Sequence, residues 1–247
     1  MALIDKLTAI ANAIRAKTGG TAKMSLDEMA TAISDIETGA PATTALKGLI
    51  ERTVSDITLP EDLTKIGTHA FYDCTELALT SLPNGITIIG SYAFHNCPKL
   101  ALTSLPNKIT DIYTNAFSDC TKLALTSLPE NLTSIHTSIF YNCPKLALTS
   151  LPSGITMIDY NAFDGCSKLA LSSLPAGITE IRNSAFRNCT GLTTLTFSGT
   201  PSVGIGPLAF SGCTNLTTIN VPWAEGAVSG APWGATNATI NYNYTGE

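Results

Sequence analysis

Leucine, isoleucine, phenylalanine and cysteine recur at fixed offsets through most of the chain. Each of the seven cysteines lies three residues after a phenylalanine, and the segments between them share one pattern of apolar and polar positions. Successive cysteines are 23 residues apart five times and then 24 apart once, at Cys74, Cys97, Cys120, Cys143, Cys166, Cys189 and Cys213. Such a period is typical of a solenoid, in which each coil buries its apolar face only against its neighbours. The pattern therefore predicts a leucine-rich solenoid of about seven coils, mainly β and irregular structure.

The spacing of leucines within a repeat is irregular. In the central repeats they follow the cysteine by three, five and eight residues, as in Leu77, Leu79 and Leu82. Because strict alternation is broken, the sequence leaves open whether a bulge or a turn lies at Thr80-Ser81 and its equivalents. After the next proline, a second short strand of the form Ile-Thr-x-Ile-x should face inward with Ile86 and Ile89.

The chain before the repeats has helical patterns. Apolar residues lie at helical spacing over residues 3–17, and Ser25 with Glu28 forms a capping box for a second helix over 26–37. We therefore expect a helical hairpin, either a cap or a docking module, at 1–39 and a linker at 40–45. The solenoid should then span 46–222, followed at 223–247 by a C-terminal cap that covers the last coil.

Composition and charge restrict the partners. The chain is 44% hydrophobic and 13% charged, with a net charge of -5 and no run of lysine or arginine. We therefore do not expect nucleic acid or an anionic membrane as the main partner. No apolar run approaches the ~18 residues of a membrane span, and the N-terminal stretch is not a signal peptide. The localisation is uncertain on this ground.

The seven cysteines form one column, because each occupies the same position of the repeat. Parallel side chains in a column point the same way, which does not favour disulfides between neighbours. A small, weakly hydrogen-bonding thiol suits a buried corner. We therefore predict a ladder of free thiols and not disulfides or a metal site.

The repeat unit LTSLPxGITxIxxxAFxxC resembles the BspA-like leucine-rich repeats of bacteria over about Leu46 to Pro222. The resemblance implies a leucine-rich repeat solenoid in a cell-surface or extracellular protein that adheres to host or matrix proteins. The stretches AIRAKTGGTAKMSLDEMATAIS and VPWAEGAVSGAPWGATNATINYN are similar to segments of prophage tail or baseplate proteins of gut Firmicutes. This second resemblance implies, as the alternative, a structural or receptor-binding component of a prophage tail-like particle.

Candidate chemistry in the repeats is weak. The three histidines fall in different columns, so no metal site is expected. Ser134, His136 and Asp159 would lie close together, but they have no nucleophile elbow, oxyanion loop or pocket. The Asp111 and Glu180 carboxylates are three coils apart, roughly 14 Å, too far for glycosidase chemistry. We therefore predict a non-enzymatic protein with no catalytic residue, metal or cofactor.

The positions that vary between repeats are the candidate binding residues. They flank an inward isoleucine and should point outward, either as a recognition surface or because packing does not constrain them. The candidate recognition surface comprises Ile88, Asp111, Tyr113, Ser134, His136, Met157, Asp159, Glu180 and Arg182. A further column that could form a separate ridge comprises Tyr72, His95, Ser118, Tyr141, Asp164 and Arg187. The sequence thus predicts binding of an unknown protein or glycan, and leaves the oligomeric state undetermined.

Overall fold

The computed structural model describes residues 52–55, 57–200, 202 and 204–246, which form a β-solenoid of about eight turns. The predicted solenoid is therefore confirmed. The predicted helical hairpin and linker lie outside the described residues. Within those ranges, no segment forms a helix with the length and apolar character that a bilayer crossing requires.

Short parallel strands form one face of the solenoid. Each contains an outward residue followed by a buried isoleucine, because the side chains of a strand alternate between its two sides. The pairing keeps the repeat register, so that Ile88 lies beside Asp111 and Met157 beside Glu180. The strands are β1 (Lys65–Ile66), β2 (Ile88–Ile89), β3 (Asp111–Ile112), β4 (Ser134–Ile135), β5 (Met157–Ile158), β7 (Glu180–Ile181) and β9 (Gly204–Ile205).

The strands of this face form two sheets, β1-β2-β3 and β4-β5-β7-β9. A third sheet forms only toward the C-terminal end, where β6 (Ser173–Leu174), β8 (Thr194–Phe197), β10 (Thr218–Asn220) and β11 (Thr239–Asn241) pair in parallel. In earlier coils the chain bends at Thr103, Thr126 and Thr149. At these three positions the structure has a bend in an extended segment, whereas at Thr80-Ser81 the chain is extended without one. Adjacent segments there share one backbone bond, as from the Ala124 N–H to the Leu102 carbonyl at 3.1 Å.

The core consists of ladders of identical residues. Phenylalanine rings from neighbouring coils stack nearly parallel, with centroids 5.1 Å apart for Phe71–Phe94 and 5.3 Å for Phe186–Phe210. The cysteines and the first leucine after each of them are buried beside this stack. The repeat therefore keeps these residue types because each contacts its own counterpart above and below.

In six repeats the corner that carries the phenylalanine uses two left-handed residues four positions apart, for example Tyr92 at φ 56° and Asn96 at φ 52°. Asparagine and aspartate adopt this conformation more readily than most residues. Their side chains also connect coils: the Asn96 Nδ2 donates to Asp73 Oδ1 at 3.0 Å, and Asn142 Nδ2 to Asp119 Oδ1 at 2.8 Å. Asp or Asn occupies the position two residues after the phenylalanine in five of the seven repeats, and Gly165 and Gly212 occupy it in the other two, so this position is structural.

The segment predicted as a C-terminal cap continues the stack. The Phe210 N–H donates to the Trp233 carbonyl at 3.0 Å, and the Trp233 side chain is fully buried. Ala235 and Ala238 then make the same corner bond that Cys213 and Leu216 make one coil earlier. The tail therefore adds a further turn, and its strand β11 is the outermost strand of its sheet.

Candidate recognition surface

The nine predicted surface residues all lie on the strands β2 to β5 and β7 or directly after them. Those that begin a strand are half-buried, because neighbouring coils flank them closely. Tyr113 is the most open, with 40% of its surface exposed, while His136, Asp159 and Arg182 in the same column are half-buried. The structure thus places the nine residues on one face of the solenoid, which we call the recognition face.

Two rings dominate the middle of the recognition face. The imidazole of His136 stacks on the phenol of Tyr113 in the preceding coil, with centroids 5.6 Å apart and planes 18° from parallel. Offset-stacked aromatic pairs of this kind are favourable and rigid. The pair therefore presents an ordered aromatic feature with a polar edge.

The C-terminal part of the recognition face is an ionic cluster around Arg182. Its guanidinium donates to Glu180 Oε1 at 3.0 Å, lies 3.4 Å from Asp159 Oδ1, and covers the ring of Tyr160 at 5.1 Å. The hydrogen bond to Glu180 raises the pKa of Arg182 above its ordinary value. These side chains contact each other, whereas the alignment of the repeats shows them only as separate variable positions.

The structure does not assemble Ser134, His136 and Asp159 into a catalytic triad. Asp159 accepts hydrogen bonds from the Thr137 hydroxyl and the Tyr160 N–H, both at 2.8 Å, and it faces Arg182. In the described part of the chain, no hydrogen bond joins the side chains of Ser134 and His136 to each other or to Asp159. A base oriented by a carboxylate, which nucleophilic catalysis requires, is therefore missing at these three residues.

The further column is not the separate ridge that the sequence suggested. Ser118 and Asp164 are each only 2% exposed, so the column is interrupted twice. Asp164 is buried because it accepts from the Arg187 guanidinium at 2.7 Å and from Asn188 Nδ2 at 3.2 Å. Ser118 donates instead to Asp119 Oδ2 in its own coil at 3.0 Å, so only Asp164 is held by side chains of the neighbouring coil.

The histidines His69 and His95 join an aromatic cluster and not a metal site. His69 stacks on Tyr92 and His95 on Tyr72, each with centroids 5.0 Å apart. The guanidinium of Arg52 covers Tyr72 at 5.4 Å. Over the ranges that the structure covers, no three His, Cys, Asp or Glu side chains are placed to hold a metal ion.

The cysteine column consists of buried free thiols that hydrogen-bond between coils. The Sγ of Cys120 donates to the Phe94 carbonyl at 3.0 Å, and Cys143 donates to Phe117 in the same way. Burial raises the pKa of Cys97 to about 12 and that of Cys213 to about 11. These thiols are therefore structural donors and not nucleophiles.

A seam crosses the recognition face between β3 and β4, which do not pair although both neighbouring pairs of strands do. Alanine precedes the phenylalanine in six of the seven repeats. The exception is the fourth repeat, where the buried Ile139 precedes Phe140. The ring distances on both sides of Phe140, 5.8 Å and 5.7 Å, are the widest of the phenylalanine ladder. The ring spacing is thus widest at the repeat that carries the larger side chain.

Sequence reasoning missed a row of lysines on a corner of the solenoid. Lysine occupies the second position after the cysteine in four consecutive repeats, and all four side chains are exposed: Lys99, Lys122, Lys145 and Lys168. They are 23 residues apart, so no local charge run shows them. Reading charge along the repeat period would have found them.

Comparisons with known proteins agree with this architecture. A family model described as BspA type leucine rich repeat region matches residues 50–170 and 167–226 in six copies. The crystal structure of a leucine rich repeat protein from T. pallidum is 32% identical, with a TM-score of 0.54, over 66% of this chain and 75% of that one.

Two further solved structures are more distant. A leucine rich cell surface protein from Faecalibacterium prausnitzii is 20% identical over 76% of this chain and 78% of its own, with a TM-score of 0.41. A leucine-rich repeat protein from Bacteroides ovatus is 20% identical over 72% and 64%, with a TM-score of 0.40. No curated protein matches the chain significantly. The matched family region ends at residue 226, so the similarity of the ends to phage tail proteins stays a prediction.

Proposed function

The chain belongs to the BspA-type leucine-rich repeat family, and on this basis we propose that it is a non-enzymatic recognition protein that binds another protein through the recognition face. The observation that carries the proposal is the contrast within the strands β2 to β5 and β7. The inward isoleucine is constant, whereas the outward neighbours change in size, charge and aromaticity from coil to coil. A regular solenoid that displays different side chains at fixed spacing forms an extended binding surface.

The chemistry of the recognition face indicates a partner with basic groups. Three carboxylates lie there, those of Asp111, Asp159 and Glu180, and Arg182 is already bound to two of them. The Tyr113–His136 pair adds aromatic area, which is enriched at protein interfaces. We therefore expect a protein that brings lysine or arginine to the carboxylates and an apolar group to the rings.

Adhesion is the setting that we propose for this binding, since the resemblance to bacterial surface repeats supports it. The alternative setting is a prophage tail-like particle, in which the same face would bind a particle component or a receptor. The two settings differ in the source of the partner: a host or matrix protein supports adhesion, and a phage structural protein supports the particle.

The test is binding of a purified partner, first captured from host extracts, to the wild type and to Tyr113→Ala/His136→Ala. We expect at least about tenfold weaker binding, since central aromatic residues often contribute more than 1 kcal/mol each. Tyr141→Ala is the matched control, because Tyr141 is 36% exposed but lies outside the recognition face. Equal affinities of the double variant and the wild type would contradict the proposal.

A further inference from the structure

We propose that Lys99, Lys122, Lys145 and Lys168 form a second binding site, which takes a linear anionic polysaccharide. This lysine row lies on a corner of the solenoid, separate from the strands that carry the recognition face. The proposal does not depend on the function proposed above, because different residues carry it.

The lysines are held at a regular spacing. Each lies in a turn closed by a hydrogen bond from the next leucine N–H to the preceding cysteine carbonyl, 3.0 Å long in all four repeats. Hydroxyl groups join successive turns, from Thr121 to the Pro98 carbonyl and from Ser167 to the Pro144 carbonyl, both at 3.3 Å. Since coils stack at roughly 4.8 Å, the row extends about 14 Å. Its backbone is therefore rigid before any ligand binds.

Side chains at the lysine position of adjacent coils are close enough to contact each other, as the first pair of coils shows. Glu76 occupies the position equivalent to Lys99 in the preceding coil, and the charged groups of the two side chains pair at 2.5 Å. At each of the next three steps both neighbours are lysines. Among the described residues, no salt bridge involves Lys122, Lys145 or Lys168. Ammonium groups at this spacing repel each other by roughly 1 kcal/mol in water, which a bound polyanion would reverse.

The row has defined ends. On the N-terminal side the column carries Glu76, which is an acidic stop. On the C-terminal side it carries Gly191, where a Cβ atom would lie 2.5 Å from the Leu169 carbonyl oxygen. No side chain fits there without displacing the backbone. The positive row is thus confined to four coils of a chain whose net charge is -5, so that any attraction of an anion is local.

The surroundings favour a polysaccharide over a nucleic acid. From each lysine to the next proline the chain reads KLALTSLP, or KLALSSLP in the last copy, without an aromatic residue. The Thr and Ser side chains of these segments, four and five residues after each lysine, are exposed. Hydroxyl groups can hydrogen-bond to sugars, whereas single-stranded nucleic acids usually stack their bases on aromatic rings. Lysine also binds carboxylate or sulfate groups as a point charge, without the planar geometry that arginine imposes.

The test uses the full chain and heparin, a sulfated uronate polysaccharide, on a surface in about 0.15 M salt. Lys122→Gln/Lys145→Gln should weaken binding roughly twofold to thirtyfold, as expected for two exposed ion pairs. Lys65→Gln/Lys108→Gln removes the same charge from exposed lysines outside the row and should change affinity less than about twofold. Unchanged binding of the protein partner to the row variant would keep this site distinct from the recognition face.

Three results would overturn the proposal. The first is wild-type protein that does not bind heparin, and the second is equal weakening in both double variants, which would indicate general charge attraction. The third is a single-stranded oligothymidylate that binds through the same row as tightly as heparin, which would make the ligand a nucleic acid. Neutral dextran should not bind, and both variants should keep the wild-type melting temperature because the substituted side chains are exposed.

Discussion

Replacing Cys120 by alanine should destabilise the protein more than the same replacement of Cys143, although both side chains are fully buried. The difference lies in the carbonyl that each thiol contacts. The Phe117 carbonyl accepts from the Cys143 Sγ at 3.0 Å and also from the Cys120 N–H at 3.3 Å. The Phe94 carbonyl has the Cys120 Sγ at 3.0 Å as its only donor among the described residues.

The sequence explains this difference. Where the corner reads Cys-Thr or Cys-Ser, the cysteine N–H donates to the phenylalanine carbonyl three residues earlier. Where it reads Cys-Pro, at Pro98 and Pro144, the described corners lack that bond. Proline removes one donor of the corner and restricts the residue before it. The thiol of the next coil is then the donor that satisfies the buried carbonyl.

Both alanine variants lose a buried group of roughly methylene size, which costs about 1 kcal/mol. Cys120→Ala also leaves a buried carbonyl without a donor, which costs about 1–3 kcal/mol, at the lower end because a thiol is a weak donor. We therefore expect Cys120→Ala to lower the free energy of unfolding by about 2 kcal/mol and Cys143→Ala by about 1 kcal/mol.

Urea unfolding followed by far-ultraviolet circular dichroism measures the free energy of unfolding of both variants, and the two values can be compared provided that the denaturant slopes agree. Cys166→Ala and Cys189→Ala repeat the comparison at other levels. Within the part of the chain that the structure describes, the Phe140 carbonyl has only the Cys166 thiol as a donor, whereas the Phe163 carbonyl has two donors. Equal losses within both pairs would refute the reasoning.

Three further predictions follow from the same column and from the seam. Burial raises the pKa of Cys97 to about 12 in the folded protein. As the pH rises above about 9, the unfolded chain therefore loses this thiol proton before the folded chain does. The free energy of unfolding should then fall by up to about 1.4 kcal/mol per pH unit for each buried thiol, and a flat alkaline profile by urea titration would contradict this. A thiol reagent should find few reactive groups in the native protein and seven after denaturation without reductant, and fewer than seven would indicate oxidation. Amide hydrogen exchange should be faster at His136 than at Tyr113, because the Tyr113 N–H donates to the Ile89 carbonyl at 3.0 Å. Ile139→Ala should slow the exchange at His136. Unchanged exchange at His136 in that variant would remove Ile139 as the cause of the seam.

The sequence predicts the solenoid well because one set of contacts is repeated. An isoleucine at position 89 has the same environment as one at position 112, so periodicity alone identifies the inward residues. The bends at Thr103, Thr126 and Thr149 were not predictable, because leucines spaced two and then three residues apart fit a bulge and a turn equally well. The extra turn formed by the tail was not predicted, because Trp233 and Ala235 continue the stack with residue types that differ from those of the repeats.

The sequence predicts less about the surface, because outward side chains interact across coils. Alignment of the repeats shows that Asp159, Glu180 and Arg182 vary, but not that they bind each other. It likewise places Asp164 in an outward column, whereas its contacts with Arg187 and Asn188 bury it. Apart from Glu180 and Arg182, which lie two positions apart, such contacts join residues 23 or 24 positions apart, which must be considered together.

The repeat period also relates the two proposed sites to one physical constraint. Packing fixes the phenylalanine, cysteine and inward leucine columns, so variation is possible only on the strand face and at the corners. On the strand face the residues differ from coil to coil, which suits a partner with its own irregular surface. In the lysine row they are identical over four coils, which suits a ligand that itself repeats, because each added subunit meets the same charge again. Uniform and varied columns of one solenoid are therefore expected to select partners of different chemistry.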